Sequence, residues 1–205
     1  LQLSVYVRLL FTLLLSGLLI VGVEAQALAN EKMVFLIKAG TDSSGNPMYR
    51  MATSQDQRAH QIYNRFWRDE GVQKVIESHQ QVESNNNALS TPPGYQNIQK
   101  PSPVFIEIGN QTGTYNDWKG TFSVQDANGR IHTYDEPRAV LDLNDSMWQS
   151  RDQSLVEQTL VHEIGHGIMR KLYGKSDMPD TPWLGRPHNG DLVTDEQLAL
   201  IEGWA

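Results

Sequence analysis

The sequence predicts an α+β fold, and three observations carry that prediction. Short apolar runs bounded by Gly, Pro and Asn clusters recur as strands. Two longer segments repeat their apolar residues at three and four, the spacing of a helix face. The strands are grouped with helices instead of alternating strictly with them. The 205 residues are 39% hydrophobic and 20% charged, enough for one domain with a core of its own and too apolar for a disordered chain. Lys+Arg 17 against Asp+Glu 24 gives a net charge of −7 without any basic run. Nucleic acid is therefore not an expected partner, because phosphate neutralisation by Lys and Arg dominates such binding. The absence of cysteine removes disulfides, thiolate catalysis and cysteine metal sites together.

Residues 1–25 read as a signal peptide. Arg8 is the only charge before an apolar run over 9–23, and Val23-Glu24-Ala25 places small residues at the −3 and −1 cleavage positions. Ala27 and Ala29 are alternative cut sites. The run of about 15 apolar residues is shorter than the roughly 20 that span a bilayer, so no stable membrane insertion is expected after cleavage. Export to a secreted or periplasmic location follows. The remaining residues, 26–205, are expected to form a single domain. The chain opens on Leu1 and stops at Ala205 inside an apolar-periodic segment with no cap, which predicts that the domain is truncated at its C-terminus. Oligomeric state has no sequence signal here.

Residues 33–39 (MVFLIKA) predict a buried strand before a Gly/Ser/Asn/Pro turn. Ser54-x-x-Gln57 has capping-box spacing. Beyond it Ala59, Ile62, Tyr63, Phe66 and Trp67, then Val72, Val75 and Ile76, predict a long amphipathic helix bent or broken near Gly71. Arg58, Arg65 and Arg68 on it read as a solvated face. Residues 84–103 are polar and Pro-rich and predict an irregular loop. Strands follow over 104–108, 121–124 and 131–134, the last two flanking Asn128-Gly129, a pair suited to the positive φ of a hairpin turn. Residues 138–143 (RAVLDL) predict one more strand, with Pro137 blocking its start. The sequons at Asn110 and Asn144 fit exposed loops.

Ser154-x-x-Glu157 again has capping-box spacing and opens a helix expected to reach about Leu172, with Gly174 as its stop. Inside it stands His162-Glu163-Ile164-Gly165-His166. Side chains four apart lie one above the other on a helix. His162 and His166 can thus offer two imidazole nitrogens to one cation at about 2.0–2.1 Å, with Glu163 beside it. Glu163 is then placed to take a proton from water, the general-base role in a metallohydrolase. Glu163 is the only charge between Thr159 and Met169, so the segment should be buried, and buried carboxylate and imidazole groups need partners. Gly165 and Gly167 each cost about 0.5–1 kcal/mol in mid-helix relative to alanine, a cost that makes sense if something approaches the backbone closely.

With these residues the chain resembles the zincin zinc metallopeptidases, and the gluzincin branch in particular. The resemblance implies a zincin-like catalytic domain: a small mixed or antiparallel sheet, an active-site helix carrying the two histidines, and a following ligand helix. It implies one Zn²⁺ per chain on His162 and His166, with Glu163 as catalytic base and proton shuttle in the hydrolysis of a peptide or protein substrate. The metzincin branch does not fit, since Met169 and Leu172 stand where its glycine and histidine would be. A third ligand must come from His188, Asp191, Asp195, Glu196 or Glu202. A capping-box spacing at Thr194-x-x-Gln197 puts Asp195 and Glu196 in a first helical turn, where acids are favoured anyway. Glu202 has Leu198, Ala199 and Ala205 as helical neighbours, so its carboxylate emerges on an apolar face and calls for a cation. Glu202 is the leading third ligand and His188 the alternative. Tyr173 and His188 are the visible options for an oxyanion stabiliser, which the resemblance leaves unassigned. By the same resemblance residues 138–143 are a substrate-pairing strand, with an interior strand as the equal alternative. A zincin-fold hydrolase of another amide, or an exported binding or structural protein with a vestigial site, are the rival readings.

Overall fold

The computed structural model describes residues 27–30, 32–90, 102–109, 113–118, 120–143 and 153–174. In chain order these contain β1 (Met33–Thr41), β2 (Pro47–Met51), α1 (Gln57–Arg68), α2 (Glu70–Ser90), β3 (Val104–Gly109), β4 (Tyr115–Asp117), β5 (Phe122–Gln125), β6 (Ile131–Tyr134), β7 (Arg138–Asp142) and α3 (Gln153–Tyr173). Among the described residues the fold is mixed α+β, with one seven-stranded mixed sheet and three helices. None of those helices is long and apolar enough to cross a membrane. The expected leader and the sequons at Asn110 and Asn144 lie outside the described residues.

The strand order is β4-β7-β3-β1-β2-β5-β6. β1, β3 and β7 run parallel to one another, and β4 pairs antiparallel on the outer side of β7. On the other side β2 is antiparallel to β1 and parallel to β5, which forms a hairpin with β6. β1 and β3 lack an alternating pattern because both of their faces are covered. Met33, Phe35, Val104, Ile106 and Ile108 point into the core beneath the helices. Val34, Leu36 and Phe105 enter a second core with Tyr49, Phe122 and Val124. The buried part of β1 ends at Leu36, and residues 38–41 are exposed, which shortens the expected buried strand over 33–39.

The second core exists because the sheet curls. β3 and β5 are three strand spacings apart, about 14 Å in a flat sheet, yet the Phe105 and Phe122 ring centroids are 5.1 Å apart. Tyr134 of β6 comes within 4.7 Å of the same Phe105 ring. A bulge between Lys38 and Gly40, where Gly40 has φ 141°, lies in the β1–β2 ladder, and bulges bend and twist the strand that carries them. Arg138 of β7 is enclosed here. Its Nε donates to Glu107 Oε2 at 2.9 Å and an Nη to Asp117 Oδ2 at 2.7 Å. Its guanidinium lies 5.1 Å from the Tyr49 ring centroid and 5.0 Å from that of Phe122. Tyr49 adds a hydroxyl bond to Glu107 at 2.8 Å, and burial pushes its phenol well above the usual range.

Several local expectations are corrected. α1 starts at Gln57 with Asp56 as N-cap and no side-chain cap bond, so Ser54 and Gln57 form no capping box. Asp56 is engaged instead by Arg50 and the Thr53 amide. The break expected near Gly71 is present, two residues earlier at Asp69, whose extended backbone ends α1 and whose Oδ1 accepts from Val72 N at 2.8 Å to start α2. Trp67 is 45% exposed and stacks on Tyr63 outside the core. Arg58 and Arg68 are exposed as expected, Arg58 also donating to the Leu143 carbonyl, whereas Arg65 is half-buried and donates to Glu157 of α3 at 2.8 Å. Helix α2 continues to Ser90, seven residues into the segment predicted as loop. At Asn128-Gly129 only Gly129 has positive φ. Asp126 organises that turn, its carboxylate accepting from the Asn128 and Arg130 amides.

Two expected outcomes follow from the buried polar groups. Arg138→Met leaves Glu107 buried without its cation, and urea unfolding should show a loss of about 3–5 kcal/mol. His79, 3% exposed between α2 and α3, has its imidazole held down to about 3 from 6.5, chiefly by burial and then by the Lys171 charge. The unfolded chain binds that proton below about pH 6.5 and the native state does not. Stability should therefore fall with decreasing pH by up to about 1.4 kcal/mol per unit. Between pH 7 and 5, urea titrations of His79→Leu should show a flatter dependence than the natural chain.

Candidate metal centre

Helix α3 is fixed by a stripe of apolar residues four apart. Val156, Leu160, Ile164 and Ile168 all belong to the core beneath the sheet. At about 100° per residue, Glu163 and Gly167 fall at one border of that stripe, and His162 and His166 fall just beyond it. The segment from Glu163 to Met169 is buried, as its lack of other charges predicts. Glu163 is 7% exposed and His166 4%. The helix starts at Gln153, which places Ser154 inside it and not at a capping box; Glu157 meets Arg65 instead. Its end agrees with the sequence: Gly174, φ 87°, bonds its amide to the Arg170 carbonyl at 2.8 Å.

The two imidazoles converge. His162 Nε2 and His166 Nε2 are 3.1 Å apart, with ring centroids 4.5 Å apart and planes at 77°. Two neutral imidazole nitrogens at that distance need a shared proton or a cation between them. Two nitrogens on one tetrahedral zinc stand about 3.3–3.4 Å apart, given Zn–N of about 2.0–2.1 Å. The pair thus fits two positions of such an ion after a small turn of either ring. No group of three metal-ligating side chains is assembled among the described residues. Glu202, His188, Asp191, Asp195 and Glu196, the expected sources of a third donor, lie outside them. Tyr173 is 44% exposed in the last turn. Seven residues beyond His166, it shares the histidine face about 10 Å along the axis.

Strand β4 and the residue after it form the wall beside this turn. Asn116 Nδ2 donates to the Glu163 main-chain oxygen at 2.6 Å. The Trp118 ring centroid lies 6.0 Å from that of His166. Arg170 Nε donates to the Trp118 carbonyl at 3.0 Å, and its Nη2 donates to the Asp135 carbonyl at 3.0 Å and to Asp135 Oδ1 at 3.1 Å. The next residue, Lys171, pairs with Glu136 at 2.6 Å and Glu83 at 3.3 Å. β4 with the residue after it, the β6–β7 connection and α2 thereby hold the C-terminal half of α3. A strand of three residues containing Asn and Asp has neither the length nor the composition that marks strands in a sequence, so Asn116 and Trp118 carry no signal there.

Of the two readings of the strand over 138–143 the interior one holds, since residues 138–142 are wholly buried and paired on both sides, with β3 and with β4. Among the described residues β4 is the edge strand on that side of the sheet. What approaches the helix backbone at Gly167 is now visible: a Cβ there would lie 3.4 Å from Asn116 Nδ2 and 3.4 Å from the Pro137 ring.

The chain matches no family model, no curated protein and no solved structure; the site has to be understood from its own chemistry.

Gly167 tests the packing of this wall. Gly167→Ala meets ordinary contact distances and gains helix propensity, so its stability should stay within about 1 kcal/mol of the natural chain. Gly167→Leu must displace Asn116 and Pro137, and chemical unfolding should register a loss of about 1–3 kcal/mol.

Proposed function

We propose that the protein is an exported zinc-dependent metallopeptidase of zincin type. The observation that carries this reading is the pair of Nε2 atoms held 3.1 Å apart on a buried turn with Glu163 beside them. His162 and His166 would hold the metal, and Glu202 would supply the third ligand, with His188 as the other source. Bound zinc supplies Lewis acidity for the scissile carbonyl and lowers the pKa of water toward about 7. Glu163 takes the proton of the attacking water and passes it to the departing amine. The outer side of β4 offers an extended peptide a place to pair by strand addition, next to the turn that carries the base. The segment 1–25 would direct export.

Metal analysis of the purified full chain should find about one zinc per molecule. Cleavage of a peptide library should be abolished by Glu163→Ala with zinc retained, whereas His166→Ala should lose the zinc itself. Zinc retained without any peptide cleavage would point to another amide substrate, and a chain that takes up no zinc would overturn the reading in favour of a binding protein.

A further inference from the structure

A single side chain joins the edge strand to the helix turn that carries Glu163. The bond from Asn116 Nδ2 to the Glu163 carbonyl determines which way the Asn116 amide faces. It leaves Oδ1 buried with no hydrogen-bond partner among the described residues. His79 Nδ1, on α2, is in the same condition. Both side chains line one cavity of about 10 Å³, together with Val104, Ala139 and Ile164. A buried polar atom left unsatisfied is costly. Two of them on one small cavity is the arrangement in which proteins hold an internal water, and this volume is room for one. Burial keeps the His79 imidazole neutral, so it presents one N–H and one lone pair, and a water can meet either at Nδ1.

We propose that one water molecule bound between His79 Nδ1 and Asn116 Oδ1 completes a strut from α2 through β4 to the main chain of Glu163, and that Asn116 and His79 are positioning residues for that base. The water site stands on its own observations; only the role of what it positions rests on the metallopeptidase reading. Glu163 sits in the turn that β4 must face if a peptide is to be paired along that edge. Asn116 sets the height of the strand against this turn, and the water with His79 keeps the Asn116 amide from rotating.

The test has two arms. A high-resolution crystal structure of the full chain should show a water within hydrogen-bond distance of both His79 Nδ1 and Asn116 Oδ1. A dry cavity, or direct contact between the two side chains, would overturn the strut. In steady-state peptide cleavage Asn116→Ala should lower kcat about ten- to a hundredfold, as small misplacements of reacting groups do, with KM and zinc content unchanged. Asn116→Asp, which keeps the shape but turns an oxygen toward the Glu163 carbonyl, should do the same and serves if the alanine variant does not fold. His79→Asn, whose amide can occupy the place of Nδ1, should retain most of kcat, whereas His79→Leu should lose it. Natural kcat in both Asn116 variants, or equal losses in the two His79 variants, would overturn the positioning role. A natural chain that neither takes up zinc nor cleaves peptides would refute the peptidase reading, while the crystallographic water would still decide the strut.

Discussion

Imidazole and carboxylate groups are costly to bury, and α3 buries Glu163 and His166 within one turn of each other. The helix accepts that cost because its apolar stripe presses it into the core over four turns. Once the stripe is seated, the polar residues at its border have no choice of direction. His162 and His166 converge, with 3.1 Å between their Nε2 atoms. The cations Arg170 and Lys171 near the helix end then tie it to Asp135, Glu136 and Glu83, a position where positive charge also complements the helix dipole.

The sheet answers to the same constraint. β4 is three residues long and among the described residues pairs only with β7, so its backbone ladder alone is a weak hold. Its side chains hold it from both faces. Asn116 reaches the helix on one side, and Asp117 takes the Arg138 guanidinium on the other. Arg138 in turn is enclosed because the curl of the sheet brings Tyr49 of β2 and Phe122 of β5 against it. The curl of a distant hairpin and the placement of the edge strand are therefore connected through one buried guanidinium.

Much of this could be read directly from the residues. The apolar runs at Met33 and Val104, the alternation after Pro137, the helix stop at Gly174 and the spacing of His162 and His166 are local signals, and each matches the structure. Some readings fail because a side chain found a distant partner, others because a neighbouring residue took its place. Glu157 was poised for a local cap and pairs with Arg65; Asp56 displaced Ser54 because Arg50 and the Thr53 amide claim its carboxylate. The strand over 138–142 could not be distinguished from an edge because its covering neighbour, β4, is too short and too polar to be recognised. Glu202, by contrast, was a sequence choice on which the described residues are silent.

By itself, then, the sequence determined the chemistry available and its spacing: two imidazoles one turn apart, a carboxylate beside them, and a helix apolar enough to be buried. These are properties of neighbours along the chain, which helical geometry converts directly into a face. The tertiary structure alone decided which strand is the edge, that Asn116 and Trp118 stand against the helix, and that His79 and Asn116 share a cavity. Those pairings join residues far apart in the chain, and they depend on sheet order and curl, which no local pattern encodes.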